Sequence, residues 1–431
     1  MKLSKKNIGY SVFLSPKIRL FLLVLFFSVF LTPLSLTVRG DNVSVNYTFI
    51  LFPLLCLIMG ETLNQPRKII LTLVSVYIAI FLSCSIYQYY YIEFWERRLI
   101  SFLLFMSMFT FFVVKIDIRM ITAFKYSVIL VSFLYSSNSL YIYISNGGSS
   151  LGYELMRPIV QSQRYGFVLL LGLWLTIFES TRSRIGLGVK LLIIIIIFNG
   201  LGLTFSRSSV AGLLASTFTY LLLLLPRFKF HGLKIRIDFF YLLIFYSGIV
   251  ALIVTTSYYC IPDYFQFFSE RLLKISITPQ IEGYFSYPKY PTFDTYVYNQ
   301  LESSEGYRVF MIIEILRYLS INPLFGSGFL GVWIMFADLS GASHNQLLDV
   351  LFRTGVIGFS AFLFILYKLF QYNFRIKNNA IIVSMVGILI IGLFHETFKL
   401  SQGAFIFSFL IAQAFSDSGA ERSRAKETTV A

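Results

Sequence analysis

Charge is scarce in this chain: Asp, Glu, Lys and Arg together make up 13% of 431 residues. That length would accommodate several soluble domains, but so few ionic groups cannot clothe their surfaces. Cysteine is nearly absent too. Cys56 and Cys84 fall within or at the edge of apolar stretches and Cys260 opens a long loop. A disulfide framework is excluded on that usage, and no metal-ligand spacing occurs. Internal repeats and low-complexity linkers are also missing, which excludes a solenoid or a tethered multi-domain chain.

What fills the chain is apolar and aromatic. Hydrophobic residues reach 57%, aromatics 18%, and Phe alone contributes 47 residues. Runs such as Leu191–Phe198 (LLIIIIIF) cannot face water. A membrane-crossing helix needs roughly 20 mostly apolar residues. The fold class expected is therefore all-α, a polytopic integral membrane protein of about 12 transmembrane helices with a large outer loop. The 12 segments are 18–38, 46–60, 69–88, 99–114, 122–144, 165–180, 188–204, 208–225, 238–257, 352–370, 380–394 and 400–415. The first follows a basic start (Lys2, Lys5, Lys6, Lys17, Arg19) that mimics a signal peptide. Its length, the want of a small-residue cleavage site and the spans that follow it mark a retained helix.

The net charge of +15 raises the question of nucleic acid, and its distribution answers it. With the N-terminus inside, 23 of the 36 Lys/Arg but only 7 of the 21 Asp/Glu fall in cytoplasmic segments. The inner side then carries about +16 and the outer side about −1, which is the positive-inside pattern. Both termini are expected in the cytoplasm, and no basic patch is left over for nucleic acid.

Four regions follow: residues 1–257, an N-terminal bundle of about nine spans; 258–351, an outer region; 352–415, the C-terminal spans; and 416–431, a cytoplasmic tail. The outer region begins with a 48-residue loop, 258–305, in which 13 residues are Tyr or Phe. Long loops are functional or disordered, and this aromatic content argues against disorder. The stretch 305-EGYRVFMIIEILRYLS-320 reads as an amphipathic interfacial helix, stopped by Asn322 and Pro323. In 324-LFGSGFLGVWIMF-336, Gly326, Gly328 and Gly331 suggest close backbone packing or a re-entrant turn, tolerated in a membrane only where protein or a wet cavity shields it.

Three stretches carry the functional argument: 204-TFSRSSVAGLL-214, 306-GYRVFMIIEILRYLSINPLFGSGF-329 and 342-ASHNQLLDVLFRTGVIGFSAFL-363. Together they resemble the O-antigen ligase/polymerase superfamily of integral-membrane glycosyltransferases, over roughly residues 200–365. The resemblance implies that Arg207 and Arg308 are diphosphate-binding and that His344 is catalytic. It also implies a donor glycan on undecaprenyl diphosphate, and transfer at the periplasmic face of the bacterial inner membrane without a cofactor or metal. The acceptor would be a lipid-linked glycan or the lipid A–core, and a chain-length regulator is a further expected partner.

Those residue types suit that chemistry. Guanidinium groups stay charged and grip phosphate oxygens through paired donors. Placed by the leaving group, they stabilise the charge that develops as the glycosidic bond breaks. A neutral imidazole accepts the proton of the attacking hydroxyl. Each residue also has a structural reading. Arg207 could snorkel to headgroups, although Thr204, Ser206, Ser208 and Ser209 surround it with polar groups. Arg308 could pair with Glu305 or Glu314 on its helix. His344 could merely cap or pack the next helix. Arg353 serves equally as a phosphate contact or an interface anchor. Arg157 and Arg164 could line the sugar path or be solvated loop residues, and His395 and Glu396 could hold the acceptor.

Within the superfamily, an O-antigen polymerase is the first expectation and an O-antigen ligase the second. A transporter or flippase for the same lipid-linked glycan would also need outer basic residues, but should place polar groups along its spans and on both access sides. A non-catalytic assembly protein would not need a histidine beside two arginines.

Overall fold

The computed structural model describes residues 15–32, 35–38, 41–44, 116–145, 162–181, 183–204, 206–224, 304–328, 345–395, 397–400 and 402–414. Nine helices occur among them: α1 (Pro16–Leu31), α2 (Ile118–Ser145), α3 (Ser162–Phe178), α4 (Arg184–Gly202), α5 (Arg207–Leu224), α6 (Ser304–Ile321), α7 (Gln346–Arg375), α8 (Asn379–Gly392) and α9 (Gln402–Ala414). The described part is all-α save for one antiparallel hairpin, β1 (Ser35–Val38) with β2 (Asp41–Ser44), in the register Ser35↔Ser44 and Val38↔Asp41. The first apolar segment, expected to run to residue 38, therefore ends as a helix at Leu31. Thr32 closes it, its N–H and hydroxyl both bonding the Ser28 carbonyl, and the run 35–38, which ends in the β-branched Thr37 and Val38, pairs as a strand instead.

The helices are apolar, and three of them (α2, α4 and α7) are long and apolar enough to cross a membrane; α3, α8 and α9 are shorter apolar helices. The expected spans at 46–60, 69–88, 99–114 and 238–257 lie outside the described residues, as does the loop 258–303.

The chain divides into two compact units. The first comprises residues 1–80, 99–131 and 398–431. Its described core is aromatic. Phe27 and Phe30 of α1 meet Phe405 of α9, and Phe124 of α2 stacks on Phe409 at 4.3 Å between ring centroids. Ser127 reaches from α2 to the Val24 carbonyl of α1 at 2.9 Å. Such a bond is useful between apolar helices, where lipid supplies no alternative partner.

The second unit comprises 81–98 and 132–397. Here small residues bring helices into close approach. A Cβ at Gly166 of α3 would collide with Ser209 of α5, one at Gly200 of α4 with Ser136 of α2, and one at Gly387 of α8 would lie 2.7 Å from the Gly212 carbonyl of α5. The Trp174 indole of α3 donates to Ser216 of α5 at 2.9 Å, satisfying a buried polar group that lipid could not. The α3–α4 connection is fixed by Lys190, whose ammonium donates to the Ile177 and Glu179 carbonyls at the end of α3, both at 2.7 Å.

α7 begins at Gln346, six residues before the expected span, and is broken once, at Gly355 (φ 61°, ψ −169°). Its far end closes on a Schellman motif: Asn378 N–H bonds the Asn373 carbonyl and Lys377 N–H the Phe374 carbonyl, with Lys377 at φ 55°. That turn leads directly into α8.

Candidate functional site

Pairwise contacts fix how the helices of the second unit run. From α3 to α5, Gly166 meets Ser209, Trp174 bonds Ser216, and Phe178 packs edge-on against Tyr220. Both numbers increase together, so α3 and α5 are parallel. From α5 to α8, Gly212 meets Ile391 while Ser216 meets Gly387, so α8 runs antiparallel to α5. Finally, a Cβ at Gly392, the last residue of α8, would lie 3.3 Å from both Gln346 Cβ and Thr397 Oγ1. The N-termini of α3, α5 and α7 and the C-terminus of α8 thus gather at one end of the unit.

Several of the expected site residues sit on that end. Arg207 is the first residue of α5 and is half-buried. It is five residues from the Gly212–Ile391 contact, or about 7.5 Å along the helix axis at 1.5 Å per residue. Around it the polar residues are buried: Ser206 and Ser208 share a 2.6 Å hydrogen bond, and the Ser209 N–H donates to Ser206 Oγ. Ser206 therefore caps the helix that begins at Arg207. Arg164 occupies the third position of α3, two residues before the Gly166–Ser209 contact. His395 lies half-buried in the turn after α8, its N–H bonding the Ile391 carbonyl and its carbonyl accepting from Thr397 N–H, both at 3.0 Å.

His344, Arg157 and Glu396 lie outside the described residues. The residue after His344 is Asn345, whose side chain caps α7 by accepting from Leu348 N–H at 3.0 Å. Arg308 stands on α6, in the turn before the buried Met311. α6 is held to α7 through its other end, where the Tyr318 ring meets Phe352 edge-on at 5.1 Å. That contact is ten residues from Arg308, about 15 Å along the helix.

Arg353 is buried and ion-paired. Its Nε donates to Asp349 Oδ2 at 2.8 Å, with side chains only 10% and 4% exposed. Asp349 lies in the first turn of α7, where a carboxylate also complements the helix dipole. The i,i+4 spacing of Asp349 and Arg353 is legible in the sequence once the helix is known to start at Gln346.

A second feature carried only a hint in the sequence. Where α7 breaks, Val356 N–H bonds the Pro323 carbonyl at 2.8 Å, Ile357 N–H bonds the Leu324 carbonyl, and Ser327 N–H donates to the Phe352 carbonyl at 2.7 Å. Gly326 (φ 69°) and Gly355 face each other so closely that a Cβ on either would strike the other's backbone strand. Of the two readings of the glycine-rich stretch, close backbone packing is what Gly326 does.

Among the described residues, no group of three or more His, Cys, Asp or Glu could hold a metal ion. The assembly is a multi-pass helical membrane protein with a cluster of polar helix ends at one pole of a compact unit. Comparison adds a likeness: the sequence model of the O-antigen ligase family matches residues 191–363, from within α4 to beyond the break in α7. Over that stretch, about two fifths of the chain, the protein is similar to the O-antigen ligase family. No curated protein matches the chain.

Proposed function

We propose that this protein is an O-antigen polymerase of the bacterial inner membrane, joining undecaprenyl-diphosphate-linked repeat units at the periplasmic face. In this reading the chain crosses the membrane about 12 times, with residues 1–17 and 416–431 in the cytoplasm. Residues 258–351 form a periplasmic catalytic cap. The acceptor hydroxyl attacks the anomeric carbon of the donor in a single displacement with inversion. Its proton passes to His344, and undecaprenyl diphosphate leaves with the electrons of the broken C–O bond. Arg207 and Arg308 bind that diphosphate and stabilise the charge it gains. Arg164, Arg157, His395 and Glu396 line the approach of the sugars, and no cofactor takes part.

The observation that carries the reading is the gathering of the α3, α5 and α7 N-termini with the turn after α8. Three helix N-termini bring their positive dipole ends to one pole, a setting suited to an anionic leaving group. Arg207 begins one of these helices and His344 precedes another by two residues. An O-antigen ligase, acting on lipid A–core, is the second reading. It is favoured by the family's own description and uses the same donor residues. A transporter would call for polar groups on both faces, whereas these gather at one.

Glycan transfer in reconstituted membranes tests the reading. The donor is an undecaprenyl-diphosphate-linked repeat unit, offered alone or with lipid A–core, to the wild type and to His344→Ala. A His344-dependent ladder from repeat units alone establishes the polymerase. Transfer only onto lipid A–core establishes the ligase, and export of donor without any new glycosidic bond would refute both.

A further inference from the structure

In a continuous helix Val356 N–H would bond the Phe352 carbonyl. In α7 that bond is exchanged for links to a separate turn, 322–328: Val356 and Ile357 N–H donate to the Pro323 and Leu324 carbonyls, and the freed Phe352 carbonyl accepts from Ser327 N–H. The turn is itself closed by Gly326 N–H on the Asn322 carbonyl, and Asn322 N–H continues α6 through the Tyr318 carbonyl. Inside a membrane protein a broken helix survives only where its freed groups find partners, and here they find them in one place. Two glycines make the approach possible. A Cβ at Gly355 would strike the Leu324 carbonyl, and one at Gly326 would lie 2.7 Å from Gly355 N and 3.0 Å from Arg353 C. Both glycines also have positive φ, a conformation that other residues adopt only with strain.

This junction ties the helix that carries Arg308 to the half of α7 that begins beside His344. The half-helix 346–354 is gripped at both ends, by the turn at its foot and by Gly392 against Gln346 at its head. Within it the Asp349–Arg353 pair adds a buried internal brace. A segment nine residues long, capped, braced and held at both ends has little freedom to rotate.

We infer that Gly326 and Gly355 are positioning residues for glycosyl transfer: their backbone clamp sets the half-helix 346–354, which follows His344 in the chain by two residues, at the pole where Arg207 begins α5. The inference rests on the proposed function. It assigns the two glycines a catalytic consequence beyond stability, because a misplacement of about 1 Å at a reacting group can cost on the order of 10²-fold in rate.

The test uses the full chain in native membranes, normalised to the amount of protein, with Gly355→Ala, Gly326→Ala and the control Gly188→Ala, whose Cβ would meet nothing within 4 Å. Amide exchange over peptides 323–328 and 352–358 reads the clamp, and glycan transfer from the undecaprenyl-diphosphate donor reads the chemistry. Exchange should quicken in both peptides in each clamp variant. kcat should fall by roughly 10- to 100-fold, while KM for the donor stays within about threefold, since neither diphosphate-binding arginine is replaced and the alignment of the half-helix is lost. Gly188→Ala should match the wild type. If Gly355→Ala does not accumulate, Gly326→Ala carries the same comparison. Loosened amides with wild-type kcat, unchanged amide protection, or a rise in KM alone would each overturn the inference while leaving the glycosyltransferase reading standing. A wild type that transfers no glycan would sink both.

Discussion

Replacing Asp349 by Ala leaves the Arg353 guanidinium in a site where its side chain is only 10% exposed, its 2.8 Å partner gone. Truncating one member of a buried pair costs about 3–5 kcal/mol, because the stranded charge keeps its desolvation penalty. The first unit offers an internal comparison. Arg119 Nε bonds Asp117 Oδ2 at 3.0 Å, almost the same length, but with side chains 41% and 27% exposed. Pairs so open to solvent contribute about 0–1 kcal/mol. Burial and not bond length should therefore decide the outcome. The assay is a double-mutant cycle in detergent or lipid, following unfolding of Asp349→Ala, Arg353→Met and the double variant beside Arg119→Ala. Each single change at 349 or 353 should cost several kcal/mol. The double should cost clearly less than their sum, since it strands no charge, and Arg119→Ala should lie within about 1 kcal/mol of the wild type. Additive losses at 349 and 353, or losses no larger than that at 119, would refute the reasoning.

Other outcomes follow from the same packing. Gly166→Ala should destabilise by about 1–3 kcal/mol, and Ser209→Gly should restore it, because the new Cβ collides with the Ser209 side chain and lies 3.9 Å from its Cα. Gly200→Ala should resist rescue by Ser136→Gly, since there the Ser136 Cα itself is only 2.8 Å away; thermal unfolding of the paired variants distinguishes the two cases. Ser216→Ala should cost about 1–3 kcal/mol by leaving the Trp174 indole N–H without its 2.9 Å acceptor, and Trp fluorescence on unfolding reads it directly. Asn345→Ala should lose about 0.5–2 kcal/mol of capping at the start of α7, with Asn345→Asp close to neutral.

Hydropathy alone located α2, α3, α4, α5, α7, α8 and α9, because an apolar run of that length has no soluble alternative and its signal is local. Their boundaries were less secure. The start of α7 at Gln346 depends on the Asn345 cap, and a polar first turn such as Gln346–Asp349 does not announce itself as part of a span. Residues 35–38 read as a continuation of the first span, since a short, partly apolar strand and the end of an apolar helix look alike in composition. Arg207 and His395 were legible as charged or titratable groups at span ends, and Arg353 as a charge within α7. What held Arg353 was not legible until the register of α7 placed Asp349 one turn before it.

By itself, then, the sequence determined a helical membrane protein, its sidedness as an expectation, and the three stretches that resemble the O-antigen ligase/polymerase superfamily. Each of these follows from composition or from residues close together in the chain. Tertiary structure alone decided that α3 and α5 run parallel with α8 reversed between their partners, so that Arg164, Arg207, Gln346 and His395 occupy one pole. It alone decided that the glycines at 326 and 355, 29 positions apart, serve one junction. Backbone groups released at a helix break must be satisfied by some other segment, and no local pattern states which segment that will be.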